Sequence, residues 1–130
     1  MSEEYSLEIV NPEKSFLSKN DVTEVVVPAF EGEIGILKDH ISIISFLKPG
    51  IIVIKNQEEK KYYIEEGTVE FSDNNLLILT STAKETKDID KIKINDIIKE
   101  TEKKMNIEEI KDKEKYILSY KIDTLKKLIN

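Results

Sequence analysis

Leu76-Leu77-Ile78-Leu79-Thr80-Ser81-Thr82-Ala83-Lys84 is where this chain of 130 residues changes character. Before it, apolar residues come in short runs broken by Gly, Pro, Asn and Asp; after it there is no Gly and no Pro at all. Gly and Pro punctuate turns and are poor in helices, so residue 84 marks a switch from strands to helices. Working back from it, Thr68-Val69-Glu70-Phe71 and Leu76 to Thr80 flank Ser72-Asp73-Asn74-Asn75, a hairpin loop by length and chemistry. Lys60 to Ile64 and Ile51 to Ile54 read as strands joined through Asn56-Gln57-Glu58-Glu59. Ile41-Ser42-Ile43-Ile44-Ser45-Phe46 is a strand that Lys48-Pro49-Gly50 turns into the next. Ile34 to Leu37 is short, and Val22-Thr23-Glu24-Val25-Val26-Val27 is a β-branched run stopped by Pro28. Tyr5, Leu7 and Ile9 alternate on one face before Asn11-Pro12. Short strands at roughly 8–12-residue spacing predict a sandwich or a barrel.

Working forward, Ile94, Ile97, Ile98, Thr101 and Met105 share one helical face, with Asp88 and Asp90 placed where acids favour a helix start. Asn106 is a left-handed stop. A second helix carries Ile110, Ile117, Leu118, Ile122, Leu125, Leu128 and Ile129. Two amphipathic helices with a short link predict an antiparallel hairpin that packs on itself, on the strands or on a partner. The organisation is therefore α+β: a β-domain over residues 1–84, then a helical hairpin over 85–130.

Composition excludes several classes of function. There are no cysteines and one histidine, so disulfides, thiolate zinc sites, a cysteine nucleophile and poly-histidine metal sites are excluded. Every basic residue is lysine, and the net charge is −6, so no arginine fork and no basic surface invites nucleic acid. Met1-Ser2-Glu3-Glu4 is an acidic opening, unlike a signal peptide, and no apolar stretch approaches the roughly 20 residues of a membrane-spanning helix. Residues 1–84 hold 8 Lys and 15 acids, whereas 110–130 hold 6 Lys and 3 acids. The basic second helix is either a solvated face or a helix that meets an acidic partner.

No catalytic constellation stands out. Glu31 and Glu33 are two apart, as strand carboxylates often are, and His40 has no second imidazole or thiol to work with. The informative stretch is Val27-Pro28-Ala29-Phe30-Glu31-Gly32-Glu33-Ile34-Gly35-Ile36-Leu37-Lys38-Asp39-His40, continuing to Phe46-Leu47-Lys48-Pro49-Gly50. It closely resembles the signature of the epsilon subunit family of F-type ATP synthases, Pro-Gly-x-Glu-Gly-Glu-Leu-Gly-Val-Leu-Pro-Gly-His-Ala-Pro-Leu followed by Leu-Lys-Pro-Gly. Glu66-Gly67-Thr68-Val69-Glu70-Phe71 stands where the family has Gly-Gly-x-x-Glu-Val, and Leu77 to Ala83 resembles its last strand and exit. Lys38-Asp39 replaces the Pro-Gly before His40, and Ile41-Ser42 replaces the Ala-Pro after it.

The resemblance implies an antiparallel β-sandwich of about ten strands followed by the helical hairpin. It implies a non-catalytic rotor subunit that binds the gamma subunit and the polar loops of the membrane ring, with Glu31, Gly32, Glu33 and His40 together at the end facing those partners. It implies a hairpin that either folds down on the sandwich or extends to the catalytic alpha/beta head and inhibits ATP hydrolysis. Lys111, Lys115 and Lys126 are the candidate contacts to that head. The location implied is peripheral, on the cytoplasmic face of a bacterial membrane through the complex. Some members bind regulatory ATP through Ile/Leu-Asp-x-x-Arg-Ala. Here Ile89, Asp90 and Lys93 align with that motif, but Lys93 replaces its Arg and Ile94 its Ala, so a point charge replaces a fork and a branched side chain a methyl. Otherwise no cofactor is expected. Two other readings are a free-standing small-molecule-binding β-sandwich and a small hydrolase built on Glu31, Glu33 and His40.

Overall fold

The computed structural model describes residues 3–13, 15–107 and 110–129; Met1 and Ser2 of the acidic opening lie outside it. Ten strands follow in chain order: β1 (Tyr5–Val10), β2 (Ser15–Val22), β3 (Glu24–Ala29), β4 (Gly32–Leu37), β5 (Ile43–Leu47), β6 (Gly50–Lys55), β7 (Glu59–Ile64), β8 (Gly67–Ser72), β9 (Asn75–Leu79) and β10 (Lys84–Glu85). A 3₁₀ turn over Thr86–Asp88 leads into α1 (Lys91–Met105) and α2 (Asp112–Ile129).

The strands hydrogen-bond in the order β10-β7-β6-β3-β5-β8-β9-β1-β2, with β4 also on β3. The strip curls until its inner faces meet. Phe16 of β2 packs edge-on against Tyr62 of β7, their ring centroids 5.7 Å apart, although those strands lie near opposite ends of the order. Alternation supplies the core: Leu7, Ile9, Val25, Val27, Ile36, Ile52, Ile54, Phe71 and Ile78 are essentially inaccessible. The two layers share one backbone pairing across β3 and β5, Ala29 with Leu47.

Several boundaries differ from the sequence reading for local reasons. Val22 ends β2, and β3 runs through Pro28. The β3–β6 ladder ends at Val26, so Pro28 has no donor to supply on that side. Strand β1 pairs with β9 in parallel, an exception in an otherwise antiparallel sheet. Asp90 caps α1 as expected, its carboxylate accepting from the Ile92 amide at 2.9 Å. Asn106 is not left-handed: at φ −90° its N–H turns back to the carbonyls of Lys103 and Lys104, so a tightened last turn closes α1. Ile110 precedes α2, its N–H donating to Ile107 O.

The hairpin lies on the outer face of β6 and β7. Ile94 and Ile98 of α1 and Ile122 and Leu125 of α2 form a second core with Tyr63 of β7, and Ile51 of β6 packs against it. Thus Tyr62 and Ile64 face the sandwich interior while Tyr63 faces the helices, and β7 is buried on both sides.

Candidate functional site

Glu31 sits in the two-residue turn between β3 and β4, and Gly32 opens β4 at φ +141°, a backbone state that side chains resist. Glu31 and Glu33 are exposed. His40 lies past the other end of β4, its amide donating to Leu37 O at 3.1 Å. The expected single cluster of Glu31, Gly32, Glu33 and His40 does not form. Six strand residues stand between the turn and the His40 loop, about 20 Å at the rise of a β-strand.

What joins the two places is the outer face of β5, β8 and β9. Register puts Phe46, Thr68, Leu79 and Val10 in one row across it, and Ile44, Glu70, Leu77 and Glu8 in the next. Ile44 is 81% exposed, Phe46 72% and Leu79 47%, and Ile41, in the loop before β5, is 78% exposed. The Phe30 amide donates to Phe46 O at 2.9 Å, which ties the stripe to the Glu31 turn. At its other end the stripe reaches the His40 loop. The two halves of the signature therefore border one bare apolar face. Phe46 and Leu79 also line an open cleft of about 1010 Å³ whose other wall includes Lys113 and Ile117 of α2.

The Lys48-Pro49-Gly50 turn, expected only to reverse the chain, is where α2 docks. A Cβ on Gly50 would stand 2.5 Å from Pro28 Cβ, so glycine allows the close approach. Lys48 is 8% exposed, its Nζ 3.6 Å from the Tyr120 ring centroid. Tyr116 packs on Tyr120 at 4.8 Å and on Phe30 at 5.7 Å. The Tyr116 hydroxyl, donating to that of Tyr120, and then Lys48 hold the Tyr120 phenol below its usual range. The Thr124 hydroxyl donates to Tyr120 O at 2.8 Å and lies 3.5 Å from Pro49 O. Lys121 pairs with Glu65 at 3.2 Å.

The remaining candidates lie on the hairpin. Ile89 packs against the helix–sheet cluster, Asp90 is engaged as the cap, and Lys93 is exposed. Ile94, where the nucleotide motif has Ala, is buried at 1% exposure. Lys111, Lys115 and Lys126 are exposed. Among the described residues no group of three or more His, Cys, Asp and Glu could hold a metal ion, and no helix is long and apolar enough to cross a membrane.

Sequence reasoning missed the bare stripe and the Lys48–Tyr120 contact. The signal for the stripe was present: Ile43 with Ile44, and Leu76 through Leu79, are apolar in both phases of a strand, the mark of a strand covered on both faces. Nothing local in the sequence pairs Lys48 with a tyrosine 72 positions on.

Comparison with known proteins agrees with this architecture. Residues 4–86 match the family described as ATP synthase, Delta/Epsilon chain, beta-sandwich domain. An ATP synthase epsilon chain of Pelagibacter ubique is 62% identical over 129 residues, covering 98% of this chain and 99% of its own. Another, from Dichelobacter nodosus, is 32% identical over 124 residues, 88% of this chain and 86% of its own. By fold, a chain of the Euglena gracilis mitochondrial ATP synthase structure superposes with a TM-score of 0.82 at 20% identity, covering all of this chain and 84% of that one. On sequence and fold together, the chain belongs to the ATP synthase epsilon chain family.

Proposed function

We infer that this chain is the epsilon-type subunit of an F-type ATP synthase and works in its central stalk, transmitting torque and doing no bond chemistry. The bare stripe of Ile44, Phe46 and Leu79, with half-buried Leu77 beside it and bordered at both ends by signature residues, carries this reading. An apolar sheet face of this kind marks a protein interface, and we assign it to the gamma subunit. The exposed carboxylates of Glu31 and Glu33 offer acceptors to the polar loops of the membrane ring. The chain then lies peripherally on the cytoplasmic face of the membrane, held there by the complex. A chain of the same fold, with a TM-score of 0.65, occurs in a structure described as the central stalk and c-ring of the Tetrahymena thermophila mitochondrial ATP synthase, which supports the placement.

The hairpin is the regulatory element. Docked on β6 and β7, its apolar faces are spent on the sandwich. Released, Lys111, Lys115 and Lys126 can meet an acidic surface on the catalytic head and slow ATP hydrolysis. The start of α1 serves packing and capping, with Asp90 engaged as the cap and Ile94 buried, which weighs against a nucleotide there.

The test is titration of the full chain against purified gamma subunit, beside a Phe46→Lys variant. The native chain is expected to form a stable complex and the variant to lose at least about 30-fold in affinity, the effect of an interface hot spot, with unchanged circular dichroism. Equal binding by both would overturn the assignment of the face. ATP hydrolysis by the gamma-containing head, with and without Lys-to-Glu changes at Lys111, Lys115 and Lys126, tests the brake: unchanged inhibition sinks it.

A further inference from the structure

The loop between β4 and β5, Lys38 to Ser42, turns at Asp39 with φ +66°. The family signature has glycine at that point, and here the same backbone state is held by a residue with a side chain. Asp and Asn tolerate the left-handed region better than most residues, but tolerance alone does not hold a loop still. The stabilising contacts come from across the sheet end. Strand β5 pairs with β8, and the β8–β9 turn at Asp73-Asn74 is itself left-handed, with φ of 50° and 59°. The Asp39 amide donates to Asn74 Oδ1 at 2.7 Å, and Asn74 Nδ2 donates back to Asp39 Oδ1 at 2.9 Å. The Asn74 carbonyl accepts from the Ser6 amide at 3.2 Å, so one asparagine ties the loop, its own turn and the start of β1 together.

Within the loop so held, the His40 ring packs edge-on against Phe71 with centroids 6.1 Å apart, and its Nδ1 lies 2.7 Å from Ile41 O. Ile41 and Leu37 stand exposed on either side. Ile41 comes three residues before Ile44, where the bare stripe begins.

We propose that Asp39 and Asn74 form a two-way side-chain lock that positions the His40–Ile41 loop as a preformed part of the docking face. It rests on the reading that this face meets the gamma subunit. The lock orders the loop before binding and spares the entropy of ordering it on contact. Asp39 and Asn74 are positioning residues, acting through the loop they hold.

The pairing makes a charge-swap test available. Asn74→Asp sets two carboxylates against each other and removes the returning N–H. Asp39→Asn keeps both bonds. The double variant Asp39→Asn with Asn74→Asp restores both, the side-chain donor now on residue 39 and the residue-39 backbone amide donating as before. All four chains keep residues that accept the left-handed turns, so folding is not at risk. The readouts are hydrogen exchange of the residue-39 amide in the full chain and affinity for purified gamma subunit. Asn74→Asp should speed that exchange about tenfold and weaken binding roughly five- to tenfold, while the single Asp39→Asn and the double variant stay within about twofold of the native chain. The lock is overturned if Asn74→Asp exchanges at the native rate, or if the double variant is as impaired as Asn74→Asp. The positioning role is overturned if exchange follows this pattern while affinity is equal in all four. Should exchange follow the pattern and no chain, the native one included, bind gamma, the lock stands as structure while the partner assignment, and the docking role with it, fails.

Discussion

The sandwich has two apolar outer faces that the chain treats in opposite ways. On β6 and β7, Ile51 and Tyr63 point outward and the hairpin covers them. On β5 and β9, Ile44, Phe46 and Leu79 point outward and no element among the described residues covers them. The local pattern is the same in both, strands apolar in both phases. The difference is that one cover is encoded in the same chain and the other has to be supplied. A face covered from within can be uncovered to switch something, whereas a face left bare is a standing docking surface.

The sharpest way to break this contrast is to damage each face and read stability. Leu125→Ala, deep in the helix–sheet cluster, should cost about 2–5 kcal/mol, seen as faster amide exchange throughout α1 and α2 with the sheet unchanged. Phe46→Ala on the bare face should change the stability of the isolated chain by less than about 0.5 kcal/mol. Comparable losses from both would mean that the bare face has an intrachain role.

Alkaline titration separates the layers next. Burial pushes the phenols of Tyr5, in the sandwich core, and Tyr63, under the hairpin, well above the usual range. The folded chain therefore keeps protons that the unfolded chain releases. This stability is complete below about pH 10 and is lost above it, at about 1.4 kcal/mol per pH unit for each phenol. Tyr63→Phe should flatten the alkaline loss of hairpin protection and leave that of the sheet; Tyr5→Phe should do the reverse. If neither substitution changes either slope, these phenols do not drive the alkaline transition.

Smaller effects refine the covered face. Lys48→Met removes the cation from Tyr120 and should raise the exchange of α2 amides roughly three- to tenfold, leaving β6 and β7 alone. Lys121→Ala breaks the partly exposed pair with Glu65 and should cost under about 1 kcal/mol, less still in high salt. A loss that salt does not touch would mean that Lys121 acts by packing.

Much of this was legible in the sequence. The β5 to β9 strands, the Asp73-Asn74 turn, the Asp90 cap and the helical stripes follow from alternation, turn chemistry and 3.6-residue periodicity, all of which act between near neighbours. What escaped depends on distant neighbours. Ser15-Phe16-Leu17-Ser18-Lys19-Asn20-Asp21 is too polar to announce a strand, yet β2 is an edge, where charge is tolerated and discourages further pairing. Glu31 and His40 stand nine positions apart in one signature, and only the straightness of β4 separates them in space. Lys48 becomes a docking residue because α2 returns to it.

The parallel pairing of β1 with β9 has a consequence in time. Residues 5–10 can join β2 as soon as it is made, but their other partner, residues 75–79, is made some 70 residues later. The β1–β2 hairpin must wait, with one flank unsatisfied, until β9 has been made, and long-range strand pairing of this kind folds slowly. Strand β1 is thus made before both its partners and is among the last into place, so a chaperone that shields nascent edges would find a target in β1.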